Sequence, residues 1–474
     1  MDREKPFRGQ APLSAPLLLA LAFALIGMIG AAVAAVSMPP LQAADEPFHM
    51  MRAWEIAHGG FVSARLSTVV AGGRVDPAIP ALQVSVGDWL QAPAGSPDLP
   101  PPGVLAAASA VRWTHQPVRI DFPSTAIYPP LFYLPAAAAI RAGGAMNLPV
   151  VPTLILARLA QGIATVGLGS LAIALAGATA PWLFVLLTLP MTLSLAGACS
   201  PDGPMIAATA LAAGLLARLS AGGLENPGGR HGLATLALAA TVMQRPPYLF
   251  LALTLLLPGS VSRRRRWISL GLVVACALGW AAFAEIHIAV PFGLPGASLP
   301  DQAAGLLAAP WRFVPILIRT YVLWAGYLLT SAIGVLGGMN MPLSQGYYAA
   351  AEAMLALAAV LTARGAAGPG LPQLPPGPAR RSVALGLAAI GLSFVALAGA
   401  LYLTWTPVGL DLAAGLQGRY FLPIAAFVPL LFPGLGRRDG RGFPAPLRAA
   451  TLALPIAFTL PTLIAMLDAI AARY

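Results

Sequence analysis

The sequence predicts an all-α integral membrane protein, a multi-pass helical bundle with a long first extracytoplasmic loop. Three observations predict it. Of the 474 residues, 58% are hydrophobic and only 9% are charged, whereas a soluble globular chain carries about 25% charged residues. Apolar runs recur from one end of the chain to the other, so the bilayer contact is not confined to a single anchor. The basic residues gather in short breaks between those runs.

That gathering gives the net charge of +11 its meaning. On a soluble protein such a balance would suggest nucleic acid. Here five segments hold 16 of the 28 basic residues: Arg3, Lys5 and Arg8; Arg218 and Arg230; Arg263 to Arg266; Arg364, Arg380 and Arg381; Arg437, Arg438, Arg441 and Arg448. The acids among them are only Asp2, Glu4, Glu225 and Asp439. This is the positive-inside signature, which assigns all five to the cytoplasm and leaves no nucleic-acid partner.

The elements follow in order. Residues 1–12 form a cytoplasmic N-terminus and 13–36 the first transmembrane helix. That run is long for a signal peptide, although Leu41-Gln42-Ala43 loosely resembles a cleavage site. Residues 37–151 are the extracytoplasmic loop with interfacial helices, expected at 46–58 and, as a juxtamembrane or re-entrant helix, at 128–142. The Gly/Pro-rich stretches Ala71-Gly72-Gly73 and 93–103 are expected to lack regular structure.

Residues 152–474 form the remaining transmembrane bundle. Keeping each Arg-rich break inside sets spans at 153–177, 180–198, 204–220, 267–287, 348–361, 383–402, 421–432 and 449–467, with a short pair at 233–242 and 248–257. The sum is about 11 spans with the C-terminus outside. Residues 303–336 read either as interfacial helices or as a further pair of spans.

This topology brings Asp45, Glu46, Asp202, Arg245 and Gln417-Gly418-Arg419-Tyr420 to one membrane face, at the outer ends of different spans. Ionisable groups in such places commonly face a cavity or pathway. Asp45 could serve as general base on a hydroxyl, and helical spacing sets His49 and Arg52 on its face; the plainer alternative is an interfacial anchor. Ser200-Pro201-Asp202-Gly203-Pro204 is explained as a turn, or else supplies a second acid across the same cavity. Arg245, between two short apolar segments, suits a lipid-phosphate oxygen or simple headgroup snorkelling. Arg419 heads a span on the outer side, against the basic-residue trend, and reads as phosphate capture or interfacial anchoring.

Other polar residues call for less. Cys199 and Cys276 lie in apolar surroundings, with no disulfide framework or metal spacing. Glu285 and His287 suit an interface, and Glu352 has no partner that spacing can name. Walker, HExxH and nucleophile-elbow motifs are missing in any convincing context. No inverted repeat of broken helices speaks for a secondary transporter.

The run DEPFHMMRAWEIAHGG, residues 45–60, resembles a segment of a bacterial polytopic membrane protein family of unknown function related to GT-C glycosyltransferases. YPPLFYLPAA, ARLAQ, SPDGPMIA, QRPPYLFL, GVLGGMNMPL and GLQGRYFLP recur in that family in similar order, so the resemblance covers residues 13–435. Two departures stand out: Arg245 occupies a position where many relatives carry Lys, and residues 334–340 lack the Trp-Asp of the usual Gly-Trp-Leu-Asp version.

The resemblance implies a GT-C-like core in a bacterial plasma (inner) membrane, active on the extracytoplasmic side. It implies an enzyme that moves a sugar from a polyprenyl-phosphate-linked donor to an extracytoplasmic acceptor, whether envelope glycan, lipid or protein. Asp45 is then the catalytic base with Glu46 its neighbour. Asp202 is the second acid, Arg245 and Arg419 are phosphate ligands, and Arg158 is a recurring arginine at the start of the second span. His49, Arg52, Gln417 and Tyr420 complete the expected substrate-binding set. No cofactor or metal ligand is assigned, with a divalent cation left open. The alternative is a lipid-linked glycan transporter or flippase, or a non-catalytic partner in envelope polysaccharide assembly.

Overall fold

A computed structural model describes residues 14–90, 103–221, 225–364, 376–432 and 445–473. The basic residues Arg3, Lys5, Arg8, Arg437, Arg438 and Arg441, and almost all of the 93–103 stretch, lie outside the described residues.

The chain runs through α1 (Ala15–Ser37), α2 (Glu46–Ala57), α3 (Ala78–Leu90), α4 (Val104–Ala110), α5 (Pro123–Ala126), α6 (Leu134–Ala145), α7 (Val150–Ala176), α8 (Ala180–Leu187), α9 (Pro190–Ala196) and α10 (Asp202–Ala221). It continues with α11 (Pro227–Gln244), α12 (Arg263–His287), α13 (Leu299–Ala308), α14 (Phe313–Gly334), α15 (Gln345–Ala363), α16 (Pro376–Thr404), α17 (Leu422–Ala425) and α18 (Ala445–Arg473). Among the described residues, eight helical segments are long and apolar enough to cross a membrane.

Several of the 11 expected spans are not single long helices, and the physical reason is local. The 180–198 run breaks into α8 and α9 at Pro190, whose ring cannot continue a helix. The 248–257 run is a 3₁₀ helix, Pro246–Leu256. The 421–432 run divides into short pieces at Pro423 and Pro429. Residues 303–336, left ambiguous by composition, contain one span-length segment, Pro310–Gly334, preceded by the short α13.

The centre of the bundle is α10 against α7, with α1 on the other side of α7. α10 is buried along 94% of its most apolar window, against 22% for α12, so α12 faces outward. Small residues permit the tight approaches: a Cβ on Gly197 would stand 2.4 Å from Ala31 O, so α1 lies directly on the α9–α10 turn.

The first long loop is not wholly helical. β1 (Ala64–Arg65), β2 (Ala71–Val75) and β3 (Val118–Asp121) form an antiparallel sheet with β2 in the middle. This corrects the expectation that Ala71-Gly72-Gly73 would be irregular. The glycines admit close packing there: a Cβ would stand 2.1 Å from Ile120 O at Gly72 and 1.9 Å from Glu55 Oε1 at Gly73. The loop domain has its own core, in which Met50, Ile79, Leu82, Phe122 and Tyr133 are buried.

Two polar centres occupy opposite ends of the same helices. At one end Arg266 Nη1 donates to the Leu256 and Leu257 carbonyls at 2.9 and 2.8 Å, and Arg265 donates to the Gly228 carbonyl at 2.6 Å. At the other end lie Asp202, which begins α10, and Arg245, which caps α11. α10 has 20 residues, a separation of about 30 Å at roughly 1.5 Å per residue.

Candidate functional site

Asp45, Asp202, Arg245 and Arg419 meet at one place. Each arrives by a different local device. Asp45 sits just before α2 in the left-handed region at φ 58°, a conformation that aspartate tolerates better than most side chains. Asp202 opens α10, where the helix dipole favours a negative charge. Arg245 closes α11, where the dipole favours a positive one.

Arg419 is delivered by a turn that only glycine can make. A Cβ on Gly418 would stand 2.1 Å from Ala332 N and 2.2 Å from Leu328 O, so the turn presses on the backbone of α14. Gly418 N donates to Ser331 Oγ at 2.9 Å, and Tyr248 OH donates to the Tyr420 carbonyl at 2.8 Å. These two bonds hold the residues on either side of Arg419.

The charges alternate across the site. Arg245 Nη2 donates to Asp202 Oδ1 at 3.2 Å. Arg419 Nη2 donates to Asp45 Oδ2, and its Nε donates to Gln417 Oε1 at 2.7 Å. Arg419 Nη1 and Asp202 Oδ2 face each other at 3.5 Å. Both of those atoms are buried and lack a hydrogen-bond partner. The Tyr420 ring lies 4.6 Å from the Arg245 guanidinium carbon and 5.3 Å from that of Arg419, a cation–π arrangement for both.

The two carboxylates differ in access. The Asp202 side chain is 3% exposed and that of Asp45 is 55% exposed. Crowding by protein raises the Asp45 pKa, but the Arg419 guanidinium, with a smaller pull from Arg245, outweighs it and holds the carboxyl below the usual aspartate range. His49 lies behind the acids, its ring facing that of Tyr128 and its Nδ1 2.7 Å from Tyr133 OH. Burial pushes its pKa down to about 4 against the pull of Asp202 and Asp45, so it is neutral at pH 7.

Three expected site residues are spent inside the protein instead. Both Glu46 oxygens take Arg158, with Nε–Oε1 at 2.8 Å, and Oε1 also accepts from Cys199 N at 2.9 Å. Arg158 uses its remaining N–H groups on the carbonyls of Ala35, Met38 and Pro39 at 2.7–3.1 Å. Arg52 is likewise satisfied by Glu55 and by the carbonyls of Gly60, Phe61 and Tyr128. Glu46, Arg158 and Arg52 are therefore braces: a buried charge must be compensated on the spot, and here protein groups do it completely.

A model of predicted membrane proteins, the DUF2142 family, matches residues 28–428. The chain belongs to this family. No curated protein and no solved structure matches it. This DUF2142 chain is thus a multi-pass membrane protein, and its polar cluster falls inside the matched region.

Several residues of the cluster escape sequence reading. Tyr128 stacks on His49, and the Tyr133 hydroxyl partners its Nδ1. Both lie in YPPLFYLPAA, where apolar character and prolines suggested only a helix start. Gln244 is buried with both amide atoms unpartnered, next in the chain to Arg245. Among the described residues, no group of three or more His, Cys, Asp or Glu side chains could hold a metal ion.

Proposed function

We propose that this protein is a membrane glycosyltransferase of GT-C-like design, taking its sugar from a polyprenyl-phosphate-linked donor on the face opposite the Arg-rich breaks. One observation carries the reading: two guanidinium groups share one buried carboxylate, and one of them also holds a second carboxylate that is half open. Asp45, Asp202, Arg245 and Arg419 balance in charge when the site holds no donor. A phosphate oxygen entering the site competes with Asp45 for Arg419, because Asp45 is the accessible partner and Asp202 the enclosed one. Arg419 Nη1, which faces Asp202 without making a hydrogen bond, is the donor nearest to hand.

The same exchange prepares the base. Arg419 is the strongest charge holding Asp45 acidic. Once phosphate draws that guanidinium away, the Asp45 carboxylate becomes more basic. It then takes the proton of an acceptor hydroxyl whose oxygen attacks the sugar's anomeric carbon. The bond from that carbon to the phosphate oxygen breaks, and the leaving phosphate keeps its electron pair and stays on Arg245 and Arg419. His49, neutral at pH 7, adds no competing charge.

The test uses full-length protein in liposomes supplied with a polyprenyl-phosphate-linked sugar. Asp45→Asn should retain lipid-phosphate binding and lose sugar transfer, whereas Arg245→Gln and Arg419→Gln should lose binding. If Asp45→Asn leaves all lipid-linked substrate handling intact while the arginine variants abolish movement of the lipid across the bilayer, the protein is a lipid-linked glycan flippase and not a transferase.

A further inference from the structure

The Arg-rich end carries a second polar feature that the proposed reaction leaves unused. A cavity of about 650 Å³ lies between the start of α12 and the start of α16, with a floor from the end of the 3₁₀ helix. Arg263, Arg266, Trp267 and Arg381 line it together with Leu256, Pro258, Ala384 and Leu385, and no lining residue is acidic. Neither Arg263 nor Arg381 has an ion-pair partner among the described residues.

The wall is built as well as charged. The two bonds from Arg266 Nη1 to the Leu256 and Leu257 carbonyls fix its guanidinium. Its Nε is buried and has no partner. α12 opens with four consecutive arginines, Arg263 to Arg266, and has no acid in its first turn. Positive side chains there oppose the positive end of the helix dipole, a conflict that a bound anion removes. Arginine's planar fork matches phosphate oxygens.

The surroundings decide where the anion comes from. Trp267 and Ile268, on the turn that forms the cavity wall, are 53% and 60% exposed. Their helix is among those long and apolar enough to span the bilayer. An indole beside a cluster of arginines is the arrangement of a headgroup-level belt, with acyl chains next to the apolar face.

We propose that this cavity binds the phosphate of an anionic phospholipid headgroup, held by Arg263, Arg266 and Arg381 with its chains along Trp267 and α12. The site is distinct from the acid–arginine cluster, and it stands whether or not the protein transfers sugars.

Native mass spectrometry of the full chain released from nanodiscs tests this. The probes are phosphatidylglycerol, phosphatidylcholine and inorganic phosphate, and the proteins are wild type, an R263Q/R381Q double variant and an R264Q control, each first checked for monodispersity. Retention of phosphatidylglycerol over phosphatidylcholine is expected in the wild type and in R264Q. It should weaken roughly thirtyfold in the double variant, since each surface arginine near an anionic headgroup contributes about fivefold. Equal retention of both lipids, or equal losses in R264Q and the double variant, would overturn the site. Saturation by inorganic phosphate with no preference among lipids would overturn the lipid assignment.

Discussion

Arg419 donates to Asp45 across 374 residues of sequence, and this contact joins the last third of the chain to the first long loop. Its two ends are unequal. Arg419 is fully enclosed and locked by Gln417 and the Gly418 turn, while Asp45 keeps more than half of its side chain open. An asymmetric pair of this kind can open from the exposed side without dismantling the enclosed one.

Asp45→Asn preserves the side-chain shape and a residue type that accepts positive φ, so the fold should be kept. Sugar transfer should fall about 10²–10⁴-fold, the usual contribution of a positioned general base. Turnover against lipid-linked donor, compared with donor binding by the same variant, is the measurement. An unchanged turnover would remove Asp45 from the chemistry.

The Glu46–Arg158 pair should behave as a structural element. Glu46→Gln or Arg158→Met leaves a buried charge without its partner, which costs about 3–5 kcal/mol. Thermal unfolding in detergent should show a large loss for either single change. Donor affinity per folded molecule should be unaltered in whatever fraction remains folded.

Gly418→Ala should be costly although it adds a single methyl group. Its Cβ would fall 2.1 Å from Ala332 N, and neither backbone can yield cheaply. A loss of at least about 2 kcal/mol is expected, together with weaker lipid-phosphate binding because Arg419 is displaced. Gly346→Ala, where a Cβ meets nothing within 4 Å, serves as the matched control.

Acid should destabilise the protein partly through His49. Its pKa is about 4 in the folded chain against an ordinary value of 6.5. Between these values the unfolded chain binds a proton that the folded one refuses, so stability is lost as pH falls from 6.5 toward 4. The full effect is about 3 kcal/mol. Urea unfolding of wild type and His49→Gln across that range should show a shallower pH dependence in the variant. The Asp45 carboxyl, held below its ordinary value, loses its contribution only at still lower pH.

Much of this architecture was readable from residue order. Composition and the spacing of apolar runs determined a multi-pass helical membrane protein, and the arginine blocks distinguished one end of the bundle from the other. The motifs containing Asp45, Asp202, Arg245 and Arg419 could be singled out, because an ionisable group beside a long apolar run is costly enough to be conspicuous. Span number was less legible: proline breaks divide apolar runs into short helices that remain buried, and hydropathy alone does not separate these from full crossings.

The division of labour between Asp45 and Glu46 belonged to tertiary structure alone. The two acids are adjacent, yet helix geometry turns Glu46 inward to Arg158 and leaves Asp45 facing Arg419. Arg52 and Arg158 looked like substrate-binding residues because a sequence displays their charge and not the carbonyl groups that consume it. Most of those carbonyls, like the tyrosines around His49, come from segments tens to hundreds of residues away. A charge announces itself locally, but its partner is chosen by packing.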